Sequence, residues 1–177
     1  VQTLTIGGSN ASGVNTNPLA SGETYDITVS GFPLVSQTLG QTAGWWADAE
    51  FAEYWTGTGY PGGTMTYRME KPYNDNSLWD VLINGNAVDW LGSTDGINWA
   101  AHTYSPDHIY KYTVVGTGAS INLKRTDSLL DSRSGSLTAE VAARNEYLWE
   151  SKRYQTTELY SWDGPYSLGR YISKYPF

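Results

Sequence analysis

The 177-residue sequence contains no cysteine. That absence excludes disulfides, thiolate-held metals and a cysteine nucleophile, and it is compatible with secretion without fixing a compartment. Basic residues are scarce, 11 against 18 acidic ones, and none precedes Arg68. The resulting net charge of −7 gives a surface that repels phosphate backbones, so nucleic acid is not an expected partner. No run approaches the roughly 18 consecutive apolar residues of a membrane span. Charged residues make up only 16%, which argues against a coiled coil, a helical bundle or a disordered acidic tail. Gly-x-Ser-x-Gly, P-loop and Rossmann glycine patterns are all missing. The only two histidines, His102 and His108, stand six apart, a weak zinc signal. A structural, hydrogen-bonding role is the expectation for His108, which opens a strand pattern. Val1 rather than Met stands first, as either removal of an export signal or an engineered start would leave it.

What is abundant is glycine (19), tyrosine (14) and tryptophan (8). Period-two patterns dominate. Thr24 to Ser30 places Tyr25, Ile27 and Val29 on one face, and His108 to Val115 does the same with Tyr110, Tyr112 and Val114. Ile121 and Leu123 follow a turn at Gly116-Thr117-Gly118, and Leu137, Ala139 and Val141 follow Gly135. Thr3–Ile6, Thr64–Met69 and Val81–Ile83 are shorter candidates. A helix is conceivable only over 137–150, and alternation makes a strand the better expectation there. Many short strands between Gly, Asn and Pro clusters predict an all-β fold, an antiparallel, jelly-roll-like β-sandwich. In such a fold most tyrosines and tryptophans fill the space between sheets.

The composition shifts at Arg144. Residues 1–67 carry five acids and no base, whereas 144–177 carry five bases, four acids and 9 of the 25 aromatics. The expected organisation is a sandwich over 1–143 and an aromatic-rich extension over 144–177. Asp163-Gly164-Pro165 marks a hairpin turn within that extension.

Two constellations carry candidate chemistry. Asp127 and Asp131 stand four apart in a Ser- and Gly-rich loop that offers carboxylates and carbonyls to calcium. A polar turn with aspartates capping amides is the plainer alternative. In Trp45-Trp46-Ala47-Asp48-Ala49-Glu50-Phe51, a strand would put Asp48 and Glu50 on one face, roughly 6.5–7 Å apart. They would reach one cation, or act as the two carboxyl groups of an inverting glycosidase.

The segments Ser21–Gly31, Ala47–Phe51, Leu82–Trp90 and Asp107–Val141, in this order, resemble the calcium-binding β-sandwich modules of secreted prokaryotic proteins. The last segment is similar to that of calcium-dependent galactose-binding bacterial lectins. The resemblance covers about residues 1–143 and implies a calcium ion held by Asp127 and Asp131, with Asp48 and Glu50 from the opposing strand. It also implies sugar hydroxyls on the ion, with Trp46, Trp99 or Tyr104 stacked beneath the ring. One departure stands out. The family has Asp-Asn before Ser-Gly-Ser, and this chain has Ser132-Arg133, so the Arg133 guanidinium offers an alternative partner for these acids.

The function expected from the sequence is therefore that of an extracellular or cell-surface, non-enzymatic module binding a carbohydrate or cell-surface glycan through calcium. The alternative is a self-assembling filament or surface-layer subunit, a homopolymer whose slightly basic aromatic extension meets the acidic first part of the next copy. A glycosidase using Asp48 and Glu50 ranks third.

Overall fold

The computed structural model describes residues 1–8, 12–37, 43–71, 79–126 and 135–144. Asp127, Asp131, Ser132, Arg133 and the expected hairpin at Asp163-Gly164-Pro165 lie outside the described residues, as does the extension beyond Arg144. Among the described residues there are eleven strands and no helix, in three antiparallel sheets. None of the described segments is a helix long and apolar enough to cross a membrane.

The first sheet joins β1 (Gln2–Gly7), β11 (Ser136–Ala143), β3 (Thr24–Ser30) and β9 (Ile109–Val115) in that order. The second joins β2 (Val14–Asn15), β10 (Asn122–Arg125) and β8 (Val81–Ile83). The third joins β4 (Leu34–Gln37), β5 (Gly44–Ala47), β6 (Phe51–Thr56) and β7 (Thr64–Glu70). Alternation explains the first sheet. Leu137, Ala139 and Val141 of β11 are buried while their neighbours Ser136, Thr138 and Glu140 face solvent. Ile27 and Val29 of β3 and Tyr110 of β9 extend the same apolar face. Up to Ala143 the helix considered for 137–150 gives way to this strand, because β-branched and small residues at period two match β3 residue for residue from Thr138↔Ser30 to Ala143↔Tyr25, and 145–150 lie outside the described residues.

One core gathers Ile6, Ile27, Val29, Leu137, Ala139 and Val141 with Val81, Ile83, Leu123, Phe51 and Trp90 from the other strands and loops. Each fully buried aliphatic or aromatic side chain contributes roughly 1.5–3 kcal/mol of transfer free energy. Residues Val1–Ala143 form one compact unit.

The strand expected through Trp45–Phe51 is broken in its middle. β5 ends at Ala47 and β6 begins at Phe51, so Asp48-Ala49-Glu50 is a turn. The Asp48 side chain causes it. Its Oδ1 accepts the amides of Glu50 (2.9 Å) and Phe51 (2.6 Å), a local capping arrangement that competes with extended backbone. The two acids therefore do not share a strand face.

Candidate metal centre

Asp48 is fully buried. Besides the two turn amides, its Oδ2 accepts the His108 Nδ1–H at 2.8 Å and the Tyr110 hydroxyl at 3.1 Å. Phe32 stacks on the His108 ring at a centroid distance of 3.7 Å. Burial and the Asp48 charge push the Tyr110 phenol well above its usual range, so the hydroxyl stays protonated and donates. Asp48 is thus fully employed as a hub joining the β5–β6 turn to β9.

A second anchor is the buried Lys71, which follows β7. Its Nζ donates to Asp48 O (2.8 Å) and Trp79 O (2.9 Å), and Asp80 Oδ1 lies 3.7 Å away. The Lys71 amide also donates to Glu50 O. Burial lowers the Lys71 pKa, while Asp80, Asp48 and Glu50 oppose that shift. These contacts fix the end of β7 beside the turn, and the register Phe51↔Glu70 sets Glu70 next to Glu50.

Two loops complete the constellation. Trp90, 1% exposed, donates its indole N–H to Val81 O and its amide to Glu50 Oε2 (3.1 Å), which seats the preceding Asp89. Beyond it the backbone pairs Leu91 with Lys111 and Gly92 with Ala100, so the loop folds back and returns His102 toward Asp89. Gly92 is required by close approach. A Cβ there would lie 1.8 Å from Thr103 O. Replacing Gly92 by Ala should therefore displace the His102 loop and destabilise the fold by about 2 kcal/mol or more, read as a lower thermal midpoint. An unchanged midpoint would mean that the loop yields freely.

Glu50, Glu70, Asp89 and His102 each place one donor atom within 4.8 Å of all the others. His102 sits between two carboxylates: Nδ1 is bonded to Glu70 Oε1, and Nε2 lies 3.6 Å from Asp89 Oδ2. It adopts a left-handed backbone, φ 58°, which costs a non-glycine residue about 1 kcal/mol. The hydrogen bond to Glu70 and the charge of Asp89 raise the imidazole pKa. Glu50 is 2% exposed, and burial, reinforced by the charges of Asp89 and Glu70, pushes its pKa up to about 8 against the opposing pull of the Trp90 amide and Lys71. Its Oε1 has no hydrogen-bond partner, and neither does Asp89 Oδ1. Buried oxygens left without partners cost free energy that a cation would recover. The resemblance implies calcium, and three carboxylates suit it, but an imidazole departs from an all-oxygen calcium shell.

Of the four acids expected to hold the ion, Glu50 enters this cluster, Asp48 is engaged elsewhere, and Asp127 and Asp131 lie outside the described residues. Trp46 is buried. Trp99 carries Lys111 Nζ over its ring at 4.0 Å, and Tyr104 carries the Arg68 guanidinium at 3.5 Å. Sequence reasoning missed Glu70 and Asp89, and it set His102 aside with His108 as a weak zinc signal. A further hint was Asp89 directly before Trp90, since a tryptophan that anchors in a core fixes its neighbour at the rim. No family model, curated protein or solved structure matches the chain.

Proposed function

We propose that this protein is an extracellular or cell-surface, non-enzymatic β-sandwich of jelly-roll type that holds a carbohydrate or cell-surface glycan through a bound divalent cation. The observation that carries this reading is the rim position of the four-donor cluster. Glu50 is buried, but the His102 side chain is 57% exposed and those of Glu70 and Asp89 are 36% and 29% exposed. An ion with six or more donors would take four from the protein and keep about two positions for water or ligand hydroxyls. Vicinal sugar hydroxyls chelate such positions well, and bind without any bond being broken. The half-buried rings of Trp99 and Tyr104 add apolar area nearby in the sequence, each already held in place by a cation.

The test is a glycan array run with divalent cations and again after chelation. Binding that disappears with chelator and returns on adding the cation is expected. Glycan binding that survives chelation would leave the cation out of recognition, and a blank array in both conditions would remove the carbohydrate reading.

A second reading, a self-assembling extracellular subunit, is favoured by β7. It is the edge of its sheet and, among the described residues, pairs only with β6. Tyr67 is 56% exposed and Met65 is also exposed. An open edge with apolar side chains accepts an added strand. Light scattering after gel filtration should then show large particles that shrink when 144–177 is deleted. A monomer before deletion would remove the assembly reading.

A further inference from the structure

We infer that the cluster of Glu50, Glu70, Asp89 and His102 is a site for a first-row transition dication, of the manganese or zinc kind, rather than for calcium. This rests on the cation-dependent reading above and names its ion: six-coordinate manganese keeps two positions for ligand hydroxyls, whereas zinc held tetrahedrally by all four donors would leave none. Three observations carry it. The donor atoms lie within 4.8 Å of one another, which matches the diameter of a single coordination shell, about 4–5 Å for metal–donor bonds of 2.0–2.5 Å. One donor is an imidazole, which suits zinc, copper, iron and nickel and is a poor partner for calcium, while the three carboxylates are what admits manganese. Glu50 is 2% exposed and its Oε1 is unpartnered, and Asp89 Oδ1 is unpartnered as well. A cluster that was merely a solvated acidic rim would not hold buried oxygens without partners.

The surrounding shell is also built for a ligand set. Glu50 Oε2 is held by the Trp90 amide, and Glu70 follows from the β6–β7 register, so two of the carboxylates are oriented before any ion arrives. The ring of His102 bridges Glu70 and Asp89, so the ion would replace a proton shared between side chains already in contact.

The experiment is calorimetric titration of the full chain, stripped with chelator, with Mn²⁺, Zn²⁺, Ca²⁺ and Mg²⁺ separately at one pH. One zinc or manganese ion per chain should bind at least about tenfold more tightly than calcium, with zinc the tighter of the two. His102→Ala should weaken zinc and manganese at least about tenfold and leave calcium little changed. His102 is exposed, so this variant keeps its fold, which circular dichroism verifies. Glu50→Gln should weaken every dication. Calcium binding as tightly as zinc, or zinc binding untouched by His102→Ala, would overturn the inference. Chelator-sensitive glycan binding restored by calcium alone would overturn it while leaving the proposed function in place. No heat with any of the four ions overturns both.

Discussion

Replacing Asp48 by Ala should destabilise the protein by about 4 kcal/mol or more, a large share of its folding free energy. The Asp48 carboxylate receives four donors: the amides of Glu50 and Phe51, the His108 ring and the Tyr110 hydroxyl. Removing an acceptor that leaves buried donors unsatisfied costs about 1–3 kcal/mol each. The stability of a domain is only about 5–15 kcal/mol in all, so the loss is of the same order as the whole. Asp48→Asn separates the turn from the charge. The amide oxygen still accepts the two turn amides, but the NH₂ group faces two donors, so this variant should fold with a loss of roughly half as much. Denaturant titration of both variants gives the measurement. An Asp48→Ala protein within about 1 kcal/mol of the parent would show that the turn and the His108 contact are not structural supports. Because Asp48 is buried and engaged on both oxygens, its loss should also abolish cation binding indirectly, by releasing the turn that places Glu50.

The stability of the cation-free protein should fall as pH rises from about 4.5 to 8. The sign follows from Glu50. Its pKa is 4.5 in an open chain and about 8 in the fold, so between these values the folded state holds a proton that the unfolded state has released. Stability decreases with pH wherever the folded state binds more protons, and the full span corresponds to at most about 5 kcal/mol. For a chain of this size that amounts to at most roughly 10–20 °C in thermal midpoint. His102, raised by its bond to Glu70 and by Asp89, adds a trend of the same sign as it loses its proton. The Glu50→Gln variant keeps an acceptor for the Trp90 amide and has nothing to ionise. It should flatten most of the slope and exceed the parent in midpoint at pH 8. A bound dication should reverse the trend, because an ionised Glu50 is then the favoured form. Midpoints recorded from pH 5 to 9, with and without cation, decide the matter, and a flat profile for the cation-free parent would mean that Glu50 is solvated as an ordinary carboxylate.

The strands were legible where local sequence carried them. Thr24–Ser30 and Val81–Ile83 coincide with β3 and β8, and the alternation of Leu137, Ala139 and Val141 names the buried face of β11. β4 escaped notice, as Leu34–Gln37 is short, follows Pro33 and takes its order from pairing with β5. The Asp48 turn escaped for a different reason. Two tryptophans and an alternating pattern argue for extended backbone, and only the geometry of the side chain against two following amides overrides them. The site was the least legible part. Its donors come from four separated stretches at positions 50, 70, 89 and 102, brought together by the β6–β7 register, the Lys71 clamp and the Gly92 fold-back. No spacing rule along the chain encodes such an arrangement. His102, set aside with His108 as a weak pair, proves to lie in a different environment from it, one half-exposed among acids and the other stacked under Phe32.

The strand order of the first sheet has a consequence for how the chain reaches its native state. β11 lies between β1 and β3, pairing with the former along Gln2–Gly7 and with the latter along Tyr25–Ser30. The middle strand is therefore the last to be synthesised, arriving more than a hundred residues after both of its neighbours. In the finished sheet β1 and β3 stand two strand spacings apart, about 9.6 Å, and until residue 143 is available no strand bridges them. Closure of the sheet waits on contacts of large sequence separation, which makes folding slow and leaves two naked edges open in the nascent protein. A chain that meets another copy in that interval can accept the other's β11 in place of its own, so chaperoning during synthesis and dilute refolding conditions matter more for this topology than for one whose central strands come first.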